Sequence, residues 1–103
     1  MTQVLTKGKV FIETERRASG ETLDMQYEEY HLKEEISLSK ENMAEASGKV
    51  GMTISLGNYE FLRVDAGVTL PCSKEDIKQA QKEAFDLASD ELFKRIEEAR
   101  KSI

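Results

Sequence analysis

Two stretches in the second half of the chain, residues 50–56 and 60–70, alternate apolar and polar residues with a period of two. Such alternation is typical of antiparallel strands with one face on a core and the other in water. Pro71 follows, and since proline cannot donate a hydrogen bond to a neighbouring strand, it fits a strand end. The pattern predicts a β-hairpin over residues 50–72.

The connection between these strands decides which face each side chain occupies. Residues 57–58 look like a two-residue hairpin turn, but that register puts the apolar residues of the two strands on opposite faces. A three-residue connection over residues 57–59, or a two-residue turn followed by a bulge, instead places Ile54 opposite Leu62. We predict one of these two connections, because both give a single core face.

Residues 73–101 show the spacing of an amphipathic helix. Ser73 fits the position of an N-cap, and Arg100 and Lys101 suit the negative end of the helix dipole. Phe93 falls outside the apolar stripe and is expected to be exposed. At 100° per residue the stripe contains Ile77, Ala80, Ala84, Phe85, Leu87, Ala88, Leu92, Ile96, Ala99 and Ile103.

Residues 1–49 form a β-rich segment with a less regular pattern. Residues 10–12 predict a short strand and residues 18–21 a turn. The apolar residues between positions 23 and 38 fit one long strand or two pieces, and a helix competes for the first part. Residues 39–49 are polar, with a helical turn at 42–46. The chain is therefore expected to form one α+β domain, a mainly antiparallel β-sheet with one long C-terminal amphipathic helix packed on one face.

Composition narrows the class of protein. A chain of 103 residues has the size of one domain. The net charge of −5 leaves no basic excess, so affinity for nucleic acid would have to come from a local patch. No stretch approaches the ~20 apolar residues of a membrane helix, and the first residues lack a signal-peptide pattern. With a single cysteine, Cys72, we expect a protein of the cytoplasm that does not act at a membrane.

Residue types that carry catalysis or bind metals are sparse. His31 is the only histidine, and its neighbours give no nucleophile signature. Cys72 is expected to be a buried small hydrophobe at a strand–helix corner; the alternative is a thiol whose pKa is lowered by the dipole of the helix that follows. The acidic pairs at 28–29 and 34–35 do not form a dyad, because adjacent strand residues point to opposite faces. One Cys and one His do not make a closed zinc site. We expect no enzyme activity, no metal and no cofactor.

One surface stands out in the predicted hairpin. If the apolar residues face the core, then Tyr59, Phe61 and Arg63 share the opposite face of the sheet. Aromatic rings beside a guanidinium group can stack unpaired bases, which contributes about 1–3 kcal/mol per base in single-strand binders. Two alternatives stay open: the N-terminal segment covers this face, or a partner protein or second copy does.

Residues 54–93 resemble part of the small accessory proteins encoded by tailed bacteriophages. The resemblance lies in the run at 56–60, in Val64, in Gly67-Val68, in Pro71-Cys72 and in the acidic amphipathic helix. Such proteins are often encoded among replication and recombination genes. The resemblance implies a viral accessory protein in a bacterial host cell, and it transfers no catalytic residue.

Together these features favour a non-catalytic binding protein. The first hypothesis is single-stranded nucleic-acid binding in replication or recombination through Tyr59, Phe61 and Arg63. The alternative is a protein-binding module or inhibitor of a host or phage protein, acting through an acidic surface or a sheet edge. A homodimer formed through the sheet is compatible with either hypothesis.

Overall fold

Four antiparallel strands and one long helix make up the computed structural model, which describes residues 2–101. The helix packs on one face of the sheet, and the predicted α+β class is confirmed. The strands and the helix are β1 (Gln3–Ala18), β2 (Glu21–Ser39), β3 (Met43–Gly57), β4 (Glu60–Ser73) and α1 (Ile77–Lys101).

The strand order across the sheet is β2-β1-β4-β3. The chain forms two hairpins, β1–β2 and β3–β4, and β1 pairs antiparallel with β4, for example Val10 with Val68. A three-residue 3-10 turn, Lys40–Asn42, carries the chain from one edge of the sheet to the other. The first half of the chain therefore extends the sheet sideways and does not lie across it.

The first half of the chain is more regular than its sequence pattern suggests. Residues 21–39 form a single strand, so the competing helix is wrong. The helical turn predicted at 42–46 is also wrong, because β3 begins at Met43 and pairs with β4 from its first residue. The second hairpin thus begins well before residue 50. The turn predicted at 18–21 is confirmed, since β1 ends at Ala18 and β2 begins at Glu21.

The core lies between the even-numbered residues of the sheet and one side of α1. The helix contributes two alanines to it and so lies close to the strands, and burying one Val, Leu or Ile side chain contributes about 1.5–3 kcal/mol. The buried cluster consists of Val10, Ile12, Val64, Ala66, Val68, Leu70, Ala84, Ala88, Leu92 and Ile96.

The buried residues of α1 recur every four positions, from Ala80 to Ile96. Four helical residues advance about 6 Å and two strand residues about 6.6 Å. The spacing of the buried helix residues therefore nearly matches the spacing of the strand side chains that face the helix. The predicted stripe is too wide, because a helix lying flat on a sheet buries only a narrow line. Ile77, Phe85 and Leu87 are exposed. Phe93 is exposed as expected, and Ile103 lies outside the described residues.

The predicted pairing of the second hairpin is confirmed, with Ile54 opposite Leu62. The turn itself differs in detail. Asn58 and Tyr59 occupy its two central positions at φ 52° and 63°, which is a type I′ turn. Gly57 pairs with Glu60, and the register shifts between Ser55 and Gly57, so the bulge precedes the turn. This extra residue restores the single core face.

The start of α1 also differs from the prediction. Ser73 is still in the extended conformation of β4 and makes no side-chain capping hydrogen bond. A 3-10 turn, Lys74–Asp76, intervenes, and the α-helix begins at Ile77. Because the strand continues through Ser73, its hydroxyl is not placed to cap the helix.

The helix crosses the sheet diagonally. Near its N-terminus Ala80 packs with Ala46 of β3. Near its C-terminus it reaches β2, where Arg95 Nη2 donates to Glu28 Oε2 at 2.5 Å and Tyr30 Oη donates to Glu91 Oε1 at 2.6 Å. The second half of β3 is consequently less well covered than the first.

Candidate functional site: the open face of the sheet

The face of the sheet opposite α1, here called the open face, carries the odd-numbered residues of β1, β3 and β4. The register places Tyr27 and Met25 of β2 on the same face, opposite Glu13 and Glu15 of β1. Both β2 side chains are exposed. Because β1 and β2 extend the sheet sideways from β4, residues 3–39 do not cover this face.

An aromatic pair occupies the middle of the open face. The rings of Phe11 and Tyr27 stack with centroids 6.3 Å apart and planes 17° from parallel. Phe11 lies over Gly67 of β4, where any β-carbon would collide with the ring. On its other side the Lys49 ammonium lies 5.7 Å from the Phe11 centroid, within reach of a cation–π interaction. Tyr27 is 60% exposed, so the pair presents an aromatic surface to solvent.

Phe61 and Arg63, two of the residues predicted to form a site, lie on the open face near the hairpin ends. Phe61 is 47% exposed. The Arg63 guanidinium donates from Nη2 and Nε to Asp65 at 2.9 and 3.2 Å, and this pairing raises the pKa of Arg63. A shallow concavity of about 370 Å³ surrounds the two side chains. It is lined by Glu15, Arg17, Gly20, Thr53, Phe61 and Arg63.

Tyr59, the third predicted residue, does not share this surface. It lies in the turn with a left-handed backbone, so the strand alternation that links Phe61 with Arg63 stops before it. Its side chain is 84% exposed. The structure therefore brings together Phe61 and Arg63 and leaves Tyr59 at the tip of the hairpin.

The cations of the open face are largely paired with carboxylates. Lys9 forms an ion pair with Glu29, which also accepts a hydrogen bond from Tyr27 Oη at 3.0 Å. These contacts lower the pKa of Glu29, and the Lys9 contact raises the pKa of Lys9. Arg17 Nε lies 3.1 Å from Glu15 Oε1. A phosphate binding here would replace carboxylates that already hold these groups in position.

A second concave region lies where the two central strands separate. Pairing between β1 and β4 ends at Lys9 and Thr69, and beyond it a cavity of about 560 Å³ opens. Cys72 is one of the residues that line this cavity. It is buried, and the burial raises the pKa of its thiol. The interpretation of Cys72 as a small buried hydrophobe is thus correct, and the activated thiol is wrong. Apolar wall residues include Leu32, Ile36, Leu38, Leu70, Pro71 and Cys72.

His31 is exposed on β2, opposite Lys9. Over residues 2–101, no three or more His, Cys, Asp and Glu side chains cluster in a way that would hold a metal ion. None of the helices in the same range is long and apolar enough to cross a membrane.

Sequence reasoning missed the aromatic pair in the middle of the face. The sequence pattern places Phe11 in a short apolar strand, but its neighbours Val10 and Ile12 are the buried residues. A strand continuing through Glu13 and Glu15 would have placed Phe11 on the polar face by alternation. The face of Tyr27 could not be predicted, because the spacing of apolar residues in its segment also fits a helix.

Comparisons of the chain with protein-family models, with curated proteins and with solved structures gave no match.

Proposed function

We propose that this protein binds single-stranded nucleic acid through the open face of its sheet, without catalysis. The observation that carries this proposal is the set of three partly exposed rings, Phe11, Tyr27 and Phe61, on a sheet face that no other element within residues 2–101 covers. We further propose an accessory role in replication or recombination of a tailed bacteriophage, in the cytoplasm of its bacterial host.

The distance between the Tyr27 and Phe61 rings allows each to stack on a different base of one nucleic-acid strand. Tyr27 lies opposite Glu13 and Phe61 opposite Arg17, so the two side chains are offset by four residues along β1 and by two strands across the sheet. From ordinary strand dimensions this separation is about 16 Å. Stacking accepts any base, because every base has a π-face. We therefore expect little sequence preference.

The exposed cations would contact the backbone phosphates. Arg17, Arg63 and Lys49 lie on the same face as the rings. The carboxylate partners of Arg17 and Arg63 lie at the surface, and surface ion pairs contribute only about 0–1 kcal/mol, so exchange for a phosphate costs little. Because each phosphate contact releases counterions, affinity should fall steeply as salt rises.

Fluorescence anisotropy with a labelled oligothymidine at low salt tests this proposal. Replacing Tyr27 or Phe61 by alanine should each weaken binding about tenfold or more, given about 1–3 kcal/mol per stacked base. The double Tyr59/Phe61 alanine variant should bind about as weakly as Phe61→Ala, since Tyr59 lies in the turn. Leu87→Ala is the matched control, because it removes an exposed apolar side chain from the helix side of the sheet. Wild-type protein that ignores the oligonucleotide at low salt would rule the proposal out.

Binding of another protein is the second candidate function, and the composition of β2 favours it. This strand forms one edge of the sheet and carries six acidic residues, Glu21, Asp24, Glu28, Glu29, Glu34 and Glu35, against one lysine. Such an edge suits a basic partner surface. If it acts in this way, a host protein captured at low salt should be lost with the Glu34→Gln/Glu35→Gln variant, and oligonucleotide should not compete for it.

A further inference from the structure

The two outer edges of the sheet differ sharply in charge. The β2 edge is strongly acidic, and a charged edge opposes pairing with another strand. The β3 edge contains residues 50–56, a run with no charged residue and no proline. Long, uncharged strand edges with high β-propensity are the ones that pair with further strands. The β3 edge is therefore the one suited to pairing.

Two exposed rings of α1 point toward this same edge. Phe85 and Phe93 directly follow Ala84 and Leu92, which are both buried. The two rings therefore lie on the same side of the row of buried residues that runs along the helix. Leu87, Glu91 and Arg95 lie on the other side, and the last two contact β2. Phe85 and Phe93 thus face β3, and they are 51% and 57% exposed.

The diagonal path of the helix leaves room beside residues 50–56. The helix lies over β3 at Gly48 and moves away toward β2 at its C-terminus. Met52, on the helix side of β3, is 36% exposed as a result. A strand added at this edge would lie on the side of the helix that carries Phe85 and Phe93.

We propose that the added strand is residues 50–56 of a second copy of this chain. Antiparallel pairing about a two-fold axis at Thr53 maps the uncharged run onto itself. Val50 then lies opposite Leu56, and Met52 opposite Ile54, all on the helix side. Thr53 lies opposite its own counterpart on the open face, a favourable cross-strand pair. A two-fold contact needs one self-complementary patch, and this run meets that requirement.

Pairing in this register joins two sheets into one of eight strands with a continuous open face. Arg63 lies next to Thr53 across the β3–β4 pair. The two Arg63 side chains would therefore flank the axis, three strand spacings or about 14 Å apart. Dimer formation does not depend on nucleic-acid binding; if both hold, the dimer presents two Phe61–Arg63 patches to one ligand.

Cysteine cross-linking tests the register. In a Cys72→Ala background, Thr53→Cys should give a disulfide-linked dimer under mild oxidation, because residues opposite each other across antiparallel strands have Cα atoms about 4.5–5.5 Å apart. Ser47→Cys, on the same strand and face, should remain monomeric, since the same register separates its two copies by about 40 Å. Absence of the Thr53→Cys dimer, or equal cross-linking of both variants, would overturn the inference.

Sedimentation equilibrium of the unmodified chain gives the independent measurement. Wild type should dimerise at micromolar concentration, and Met52→Lys should raise the dimer dissociation constant at least about tenfold while leaving the circular dichroism spectrum unchanged. Leu23→Lys, at an exposed apolar residue of β2, is the matched control and should have no effect. A wild type that stays monomeric at about 100 μM, or that dimerises equally with Lys at position 52, would contradict the proposal and leave the edge to a strand of another protein.

Discussion

The backbone of Phe85 lies so close over Gly48 that a β-carbon at Gly48 would come within 2.5 Å of the Phe85 nitrogen. Helix and strand meet here through main-chain atoms, and neither can yield by turning a side chain. This contact fixes the point at which α1 crosses β3, and with it the part of the β3 edge that the helix leaves uncovered.

Gly48→Ala should therefore destabilise the fold. The added methyl group forces the helix away from the sheet, and overpacking of this kind typically costs about 1–3 kcal/mol. Urea denaturation measures the loss. Gly51→Ala on the same strand is the control, because its β-carbon would meet only the side-chain ends of Asp65 and Arg63, which can move. Equal stability of the two variants would show that the helix does not pack on Gly48.

The two neighbouring helix residues Leu92 and Phe93 should respond very differently to truncation. Leu92 is buried in the core, so Leu92→Ala should cost about 2–5 kcal/mol. Phe93→Ala removes an exposed ring and should cost much less when measured at a concentration that keeps the chain monomeric. Thermal or urea unfolding compares them, and similar losses would mean that the helix faces are assigned incorrectly.

The Tyr30 hydroxyl should lose its proton at an unusually high pH. Partial burial, with the hydrogen bond to Glu91 adding to it, raises the pKa of Tyr30 to about 12. The folded-state pKa is thus above the unfolded value near 10, so the contribution of Tyr30 to stability is fully present below about pH 10 and is lost as the pH rises from about 10 to 12. Absorbance at about 295 nm should show a tyrosine component titrating at high pH that Tyr30→Phe reduces, while Tyr59→Phe leaves it in place. The hydrogen bond to Glu29 also raises the pKa of Tyr27, so this residue should account for the part that remains. The stability difference between wild type and Tyr30→Phe should shrink over the same range; a constant difference would contradict the assignment.

Asp65 should limit the affinity of the proposed nucleic-acid site. Its carboxylate holds the Arg63 guanidinium through two hydrogen bonds, so it competes with any phosphate. Asp65→Asn should raise affinity for an oligothymidine several-fold and steepen its salt dependence, whereas Arg63→Ala should lower it. The anisotropy assay measures both. If Asp65→Asn leaves affinity unchanged, Arg63 does not contact the ligand.

The β3–β4 hairpin was predictable because two constraints in it agree. The alternation in both strands required a single core face, and only an odd number of residues at the connection provides one. The position of the bulge was not accessible, because Gly57 and Asn58 both tolerate a left-handed backbone and the pattern does not say which begins the turn. The structure assigns the turn to Asn58 and Tyr59.

The strand order, and with it the open face, was beyond reach of the local pattern. Phe61 and Arg63 follow from parity within one strand, but Phe11 and Tyr27 join them only because β1 pairs with both β2 and β4. That arrangement depends on contacts between residues far apart in the chain. The same limit explains the excess width of the predicted helix stripe, since the line of contact depends on the angle at which α1 crosses the sheet.

The short 3-10 turn between β2 and β3 has a consequence for how the chain folds. It separates the β1–β2 hairpin from the β3–β4 hairpin. The two strands of each hairpin are consecutive in the chain, and hairpins form in about 1–10 μs. The β1–β4 pairing that unites them joins residues as distant as Lys9 and Thr69, so it must overcome the entropy of closing most of the chain into a loop. We expect the pairing of β1 with β4, together with the packing of α1 over these two strands, to be the slow step of folding.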